Sequence, residues 1–217
     1  VNDLSRHTIE GAEHPAGAPL IEGAEGPARA LRADAQRNLD ALLHAALEVF
    51  AAEGVDAPVR TIAARAGVGI GTVYRHFPNR SDLIVAVFRR EVDACAEAAP
   101  ELAAGHRPFE ALSLWVQRAV EFVAVKRGLS AALNSGDPAY APLHDYLTGQ
   151  LAPALEMLLD SAAAAGEVRA GIDGADLLQA IASLCHPPRD SEPNPARAQR
   201  MVALLVDGLR YGAAVNA

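Results

Sequence analysis

Two stretches of this chain carry side chains able to do chemistry. The first is Ile70-Gly71-Thr72-Val73-Tyr74-Arg75-His76-Phe77. Wound as a helix, its outward positions carry Thr72, Tyr74, Arg75 and His76, while Val73 and Phe77, four apart, face a common core. Those outward groups suit a polyanion with readable edges. Threonine meets a thymine methyl or a phosphate, tyrosine and histidine donate to phosphate, and arginine reaches guanine O6/N7 or the backbone. The second stretch is the polar set His106, Tyr140, His144, Asp145, Tyr146, His186 and Asp190. Imidazole and carboxylate serve as acid, base or metal ligand, but no spacing here fixes a geometry. H-E-x-x-H, G-x-S-x-G, a phosphate-cradling glycine loop and a dinucleotide glycine pattern are all missing from the sequence. The sequence therefore argues against an enzyme, and no metal or cofactor is expected.

The first stretch must be held by what precedes it. In Thr61-Ile-Ala-Ala-Arg-Ala-Gly67, residues Ile62, Ala63 and Ala66 make one apolar side of a short helix. Gly67 can take positive φ and end it. Val68 is the natural plug between the two helices, and Gly69 stands where the second would be capped. Two short helices meeting at a glycine turn are how a small domain sets a reading helix into the DNA major groove. Gly71 removes a side chain near the start of that helix, so the backbone can approach DNA or the first helix closely. Arg37, Arg60 and Arg80 flank the hairpin as candidate phosphate contacts.

The run Ile62-Ala63-x-x-Ala66-Gly67-Val68-x-x-Gly71-Thr72-Val73-Tyr74-x-His76-Phe77-Pro78-Asn79-Arg80-x-x-Leu83 resembles the DNA-binding signature of TetR-type (tetracycline-repressor-like) transcriptional regulators. The resemblance covers roughly Asp34 to Ala98. It implies an all-α homodimer that binds a pseudo-palindromic DNA operator and is released by a small molecule, hence a repressor. Three positions depart from the family's pattern. Pro58 stands near a usual phosphate-touching Ser or Thr, Gly69 replaces a usual Ser or Thr, and Arg80 takes the place of a common Lys.

Composition agrees with an all-α fold, since alanine and leucine dominate and aromatics make up 5% of the chain. The net charge of −8 is unusual for a DNA binder, but its distribution is uneven. Residues 1–28 hold one arginine and five acids, residues 29–91 nine arginines and seven acids, and residues 92–217 nine bases and fifteen acids. The net-positive segment contains the hairpin, and an acidic body limits nonspecific binding to phosphate. Cys95 and Cys185 lie far apart in helical patterns and read as buried thiols in a reducing compartment. With no apolar run of membrane-spanning length and no signal pattern at the start, a cytoplasmic protein without membrane contact is expected.

Three segments follow. Residues 1–33, rich in Ala, Gly, Glu and Pro, are expected to be a disordered leader. Residues 34–80 are expected to be a three-helix DNA-binding domain, opened by Asp34 as N-cap of a helix to Glu53. Pro58 opens its second helix, and Asn79 with Asp82 caps the helix after the reader. Residues 81–217 are expected to form an effector-binding and dimerisation domain. Its helices are predicted over residues 80–98, 109–127, 129–134, 139–165, 173–185 and 196–211, with Pro100, Gly128 and the Pro187-Pro188 pair as breaks. Trp115, Phe122, Tyr140, His144 and Tyr146 are candidates to line a small-molecule pocket. Leu177, Ile181 and Leu184 with Met201, Leu204, Leu205 and Gly208 are candidates for a four-helix dimer interface.

Overall fold

The structure, a computed structural model, describes residues 26–133, 135–185 and 194–211. Among these residues the chain forms α1 Gly26–Glu53, α2 Val59–Ala66, α3 Ile70–His76, α4 Arg80–Gly105, α5 Pro108–Leu133, a 3-10 turn Pro138–Tyr140, α6 Leu143–Ala164, α7 Gly174–Cys185 and α8 Pro195–Gly208. No strand occurs among them, as an Ala- and Leu-rich chain without period-two patterning requires.

By its contacts the chain divides into residues 1–37 and residues 38–217. In the first unit the chain is helical from Gly26, and Arg37 pairs with Asp34 one turn back. This corrects the expected helix start, since Asp34 lies inside α1 rather than capping it. Pro27 is tolerated in a first turn, and Ala28, Ala30, Leu31 and Ala33 are strong helix formers, so local propensity extends the helix upstream. The rest of the expected leader, residues 1–25, lies outside the described residues.

Within residues 38–217, α4 is the central strut. It packs on α5 and α6, α6 packs on α7, and α8 closes against α5 and α7. One continuous apolar cluster runs from Leu42 and Phe50 through Ile62, Val73 and Phe88 to Trp115, Leu155, Ile181 and Val206. Trp115 is fully buried, and its indole Nε1 donates to the Cys95 carbonyl of α4 at 2.8 Å, so the ring's one polar atom is satisfied. Nearer the start of α4, Phe88 meets Phe122 of α5 at 5.9 Å between ring centroids. Tyr146 of α6 donates to Asp93 at 2.5 Å while Arg89 lies over its ring, 4.8 Å from the centroid. Both cysteines are buried, and burial pushes the Cys95 thiol up to about 11.

Three predicted helix boundaries are corrected. Pro100 does not end its helix, because α4 continues to Gly105. The proline is exposed and forfeits one hydrogen bond, while Ala98, Ala99 and Leu102 pack inward and hold the turn. Gly128 does not stop α5, which runs unbroken to Leu133. Glycine lowers helix stability by only about 1 kcal/mol, less than the burial of Leu129 and Ala132 beyond it returns. Conversely, α6 begins at Leu143 rather than Ala139, because Pro142 has no N–H to offer the Pro138 carbonyl, which accepts from the Ala141 amide at 3.2 Å in a 3-10 turn whose start is capped by Asp137 accepting from the Ala139 amide at 2.9 Å. Residues 186–193, which hold the predicted Pro187-Pro188 break and most of the polar loop expected over Arg189 to Pro195, lie outside the described residues, and so do His186 and Asp190.

Candidate nucleic-acid interface

Pro58 precedes α2 in extended conformation at φ −62° and ψ 135°, and the Pro58 carbonyl accepts from the Thr61 amide at 2.9 Å. Ile62 and Ala63 are buried beneath α2. Gly67 ends the helix in the left-handed region at φ 68°, where any other residue would be strained, and its amide turns back to the Ala63 and Ala64 carbonyls. The Val68 amide donates to Ala63 at 3.0 Å, which leaves the Val68 side chain half-buried against the core between the two helices. Gly69 stands at the N-cap of α3 in extended conformation, with its carbonyl accepting from the Thr72 amide at 2.9 Å.

Inside α3, Val73 is buried and Phe77 packs half-buried behind it, so the inner face is the predicted one. Tyr74 is 51% exposed, Arg75 and His76 are also exposed, and Thr72 is half-buried. Ile70 is 47% exposed and was not expected on the outer surface. The signal was available, because Ile70 lies four residues before Tyr74 and therefore shares its side of the helix. A Cβ added at Gly71 would meet nothing within 4 Å. Of its two predicted reasons, close packing on the first helix is thus excluded.

The hairpin's charge is lopsided: residues 59–80 contain four arginines and no carboxylate. Two of the four are engaged. Arg65 Nε donates to Glu48 of α1 at 2.7 Å, a contact that holds the Glu48 carboxyl below its ordinary range. Arg80 donates to the Val55 carbonyl and, at 2.9 Å, to that of Ala57. Arg80, expected as a phosphate contact, here braces the loop after α1, for a reason of hydrogen-bond accounting: carbonyls of that loop have no helical partner, and a fixed guanidinium fork supplies it. Arg60 and Arg75 are exposed and make no ion pair among the described residues. Behind the hairpin, the Asp82 carboxylate accepts from the Asn79 amide at 3.0 Å, which anchors α4 as the sequence predicts. Arg37 belongs to the other unit, where Asp34 holds it.

The predicted pocket residues sit in different settings. Trp115 and Phe122 are buried in the helical core, Tyr146 is tied to Asp93, and His144 is exposed. Tyr140 sits on the 3-10 turn, where burial and the nearby Asp137 raise its hydroxyl pKa above the ordinary value and Arg80 opposes them. Among the polar residues weighed for catalysis, His106 lies 3.3 Å from Glu110 one turn along, a solvated pair at the start of α5. The described residues contain no group of three or more potential metal ligands.

The predicted interface residues also divide. Leu177 and Ile181 are already buried in the chain's own core, whereas Leu184, Met201, Leu205 and Gly208 are half-exposed and Leu204 is 67% exposed. On α8 the inner face is Ala198, Val202 and Val206, continued by Leu209. Val202 and Val206 turn inward because α8 closes against α5 and α7, and Leu204, an expected interface residue, stays in water. No helix among the described residues is long and apolar enough to cross a membrane.

Comparison with known proteins agrees with this architecture. Residues 42–87 match the family model described as bacterial regulatory proteins, tetR family, and residues 107–211 match one described as transcriptional regulator SbtR-like, C-terminal domain. The TetR transcriptional regulator SCO0520 from Streptomyces coelicolor is 40% identical, with 79% of this chain and 97% of that chain covered at a TM-score of 0.65. A TetR transcription regulatory protein from Mycobacterium vanbaalenii is 36% identical, with 83% and 99% covered at a TM-score of 0.64. An HTH-type transcriptional regulator from Staphylococcus aureus (strain USA300) is 28% identical over 109 residues, which span 49% of this chain and 59% of that protein's length. With its glycine-turned helical hairpin followed by an all-α body, each half matching a model of its kind, this chain belongs to the TetR family of bacterial transcriptional regulators.

Proposed function

We propose that this chain is a homodimeric repressor whose two α3 helices read successive major grooves of a pseudo-palindromic operator, and which a small organic molecule releases. In this reading residues 34–80 carry the DNA-binding domain and residues 81–217 the effector and dimer functions. One observation carries it: α3 exposes Tyr74, Arg75 and His76 while Val73 roots it in the core, within a 22-residue stretch, 59–80, that has arginines and no carboxylate. That is a rigid, basic, side-chain-bearing surface of groove width. Arg60 and Arg75 are its unengaged cations; Arg80 serves by bracing α4 to the loop before α2.

Dimerisation uses the outer edge of α7 and α8, where Leu184, Met201, Leu204, Leu205 and Gly208 leave apolar surface in water. The effector enters beside α4, between the buried aromatics of α5 and the Tyr146–Asp93 link to α6, so that seating it shifts α4 and with it the reader. Such a ligand acts only if it binds the DNA-free arrangement better, because equal affinity shifts no population.

Selection of duplexes from a random library at near-physiological salt, followed by gel-shift titration of the winners, tests the DNA reading. A two-fold symmetric winner whose affinity falls steeply with salt is the expected result. Binding that is equal for all duplexes rejects it. A thermal-shift screen of small apolar compounds, with each hit then added to the preformed complex, tests the release step, and hits that stabilise the protein without releasing DNA reject the allosteric link.

A further inference from the structure

The described residues expose five large hydrophobic side chains: Ile70, Tyr74, Met157, Leu204 and Tyr211. Two of the five lie on α3, which is only 7 residues long. Ile70 and Tyr74, one turn apart, form a ridge 47% and 51% exposed beside Arg75. Nothing among the described residues accounts for an isoleucine there. Its β-branch disfavours a helix, and half of its apolar surface is left in water. The next residue, Gly71, is equally unexplained from within: its φ is an ordinary negative one, a Cβ would meet no atom within 4 Å, and alanine would hold the helix better. An apolar branch beside a bare stretch of backbone, both facing outward amid arginines, is complementary to a small apolar feature on a highly anionic surface. In the major groove that feature is the C5-methyl of thymine, the one apolar group on the base edges.

We propose that Ile70 packs on a thymine methyl in each half-site, with the missing side chain at Gly71 letting the helix start sit close enough for van der Waals contact. Ile70 is thus a specificity-determining residue that reads T against C and U by shape alone. Arg75 and Tyr74 supply the polar contacts. This inference rests on α3 being the DNA reader as proposed above.

The test uses the full chain and a duplex selected by it from a random library. Each symmetric pair of thymines in that duplex is replaced in turn by deoxyuridine, which removes the methyl and leaves every hydrogen-bonding group unchanged. One pair is expected to weaken wild-type binding by about fourfold per methyl, the worth of one buried carbon. Ile70→Ala is expected to bind the thymine duplex more weakly by a similar or larger factor and to be indifferent to deoxyuridine at that pair, with its helical circular dichroism unchanged. If every thymine pair tolerates deoxyuridine, or if Ile70→Ala remains as sensitive as wild type at the same pair, the inference fails while the selected duplex still upholds α3 as reader. If wild type selects no duplex at all, both fall together.

Discussion

The reader hairpin and the α7–α8 edge both leave apolar side chains in water, yet they are built in opposite ways. In the hairpin a seven-residue helix is pinned by one buried valine and one capping turn, so which side chains face outward follows from local geometry. Along α8 the consecutive residues Met201 to Val206 are all apolar and so point to every side, and the helix's neighbours decide which of them are inside. Val206 is buried and Leu204, two residues earlier, is 67% exposed, although both are large and apolar. Short polar elements thus declare their working face in sequence, whereas long apolar helices acquire theirs by packing.

Substitutions can break or sharpen that contrast. The largest effect belongs to α8. Val206→Glu buries an unpaired carboxylate and should cost more than about 3 kcal/mol of stability in urea unfolding, whereas Leu204→Glu should leave the fold within about 0.5 kcal/mol and instead turn the proposed dimer to monomer in sedimentation. Equal losses from both would show that α8 has no distinct outer face. Next comes Arg80→Ala, which strands the Val55 and Ala57 carbonyls and should lower stability by about 1.5–3 kcal/mol; an operator defect with unchanged melting would return Arg80 to the DNA contacts. Tyr74→Ala or Arg75→Ala should cost about 1–3 kcal/mol of operator binding in gel-shift titration and nothing in melting temperature, the reverse of the Arg80 pattern. The smallest change is Gly71→Ala. It should raise stability by up to about 1 kcal/mol while weakening DNA binding, since only a partner can meet the added methyl.

Much of the hairpin was legible before any tertiary information. Gly67 as a left-handed stop, Val68 as the plug, Val73 and Phe77 as the inner face and Asn79–Asp82 as the next cap each follow from one residue's own conformational or hydrogen-bonding demands. Ile70 escaped because exposed isoleucine contradicts the simple polar-outside rule, although its spacing from Tyr74 disclosed it. Proline was an uneven sign. Pro58 stands at the start of α2 as expected, but Pro100 sits exposed within α4, where one lost hydrogen bond is outweighed by the packing of the opposite face. The pocket candidates show a related limit of sequence reading, because an aromatic residue's type does not say whether its partner is a ligand, a carbonyl, as for Trp115, or a carboxylate, as for Tyr146.

From the sequence by itself came the helical class, the DNA-reading hairpin with its turn and caps, and a positively charged segment set in an acidic chain, since all of these are properties of residues near one another in the chain. Only the tertiary structure decided that Arg80 braces a loop, that α4 and α5 run through Pro100 and Gly128, and that Val206 rather than Leu204 faces the core. Those outcomes depend on which distant carbonyl lacks a donor and which helix face finds a neighbour, and neither is a property of the residue itself.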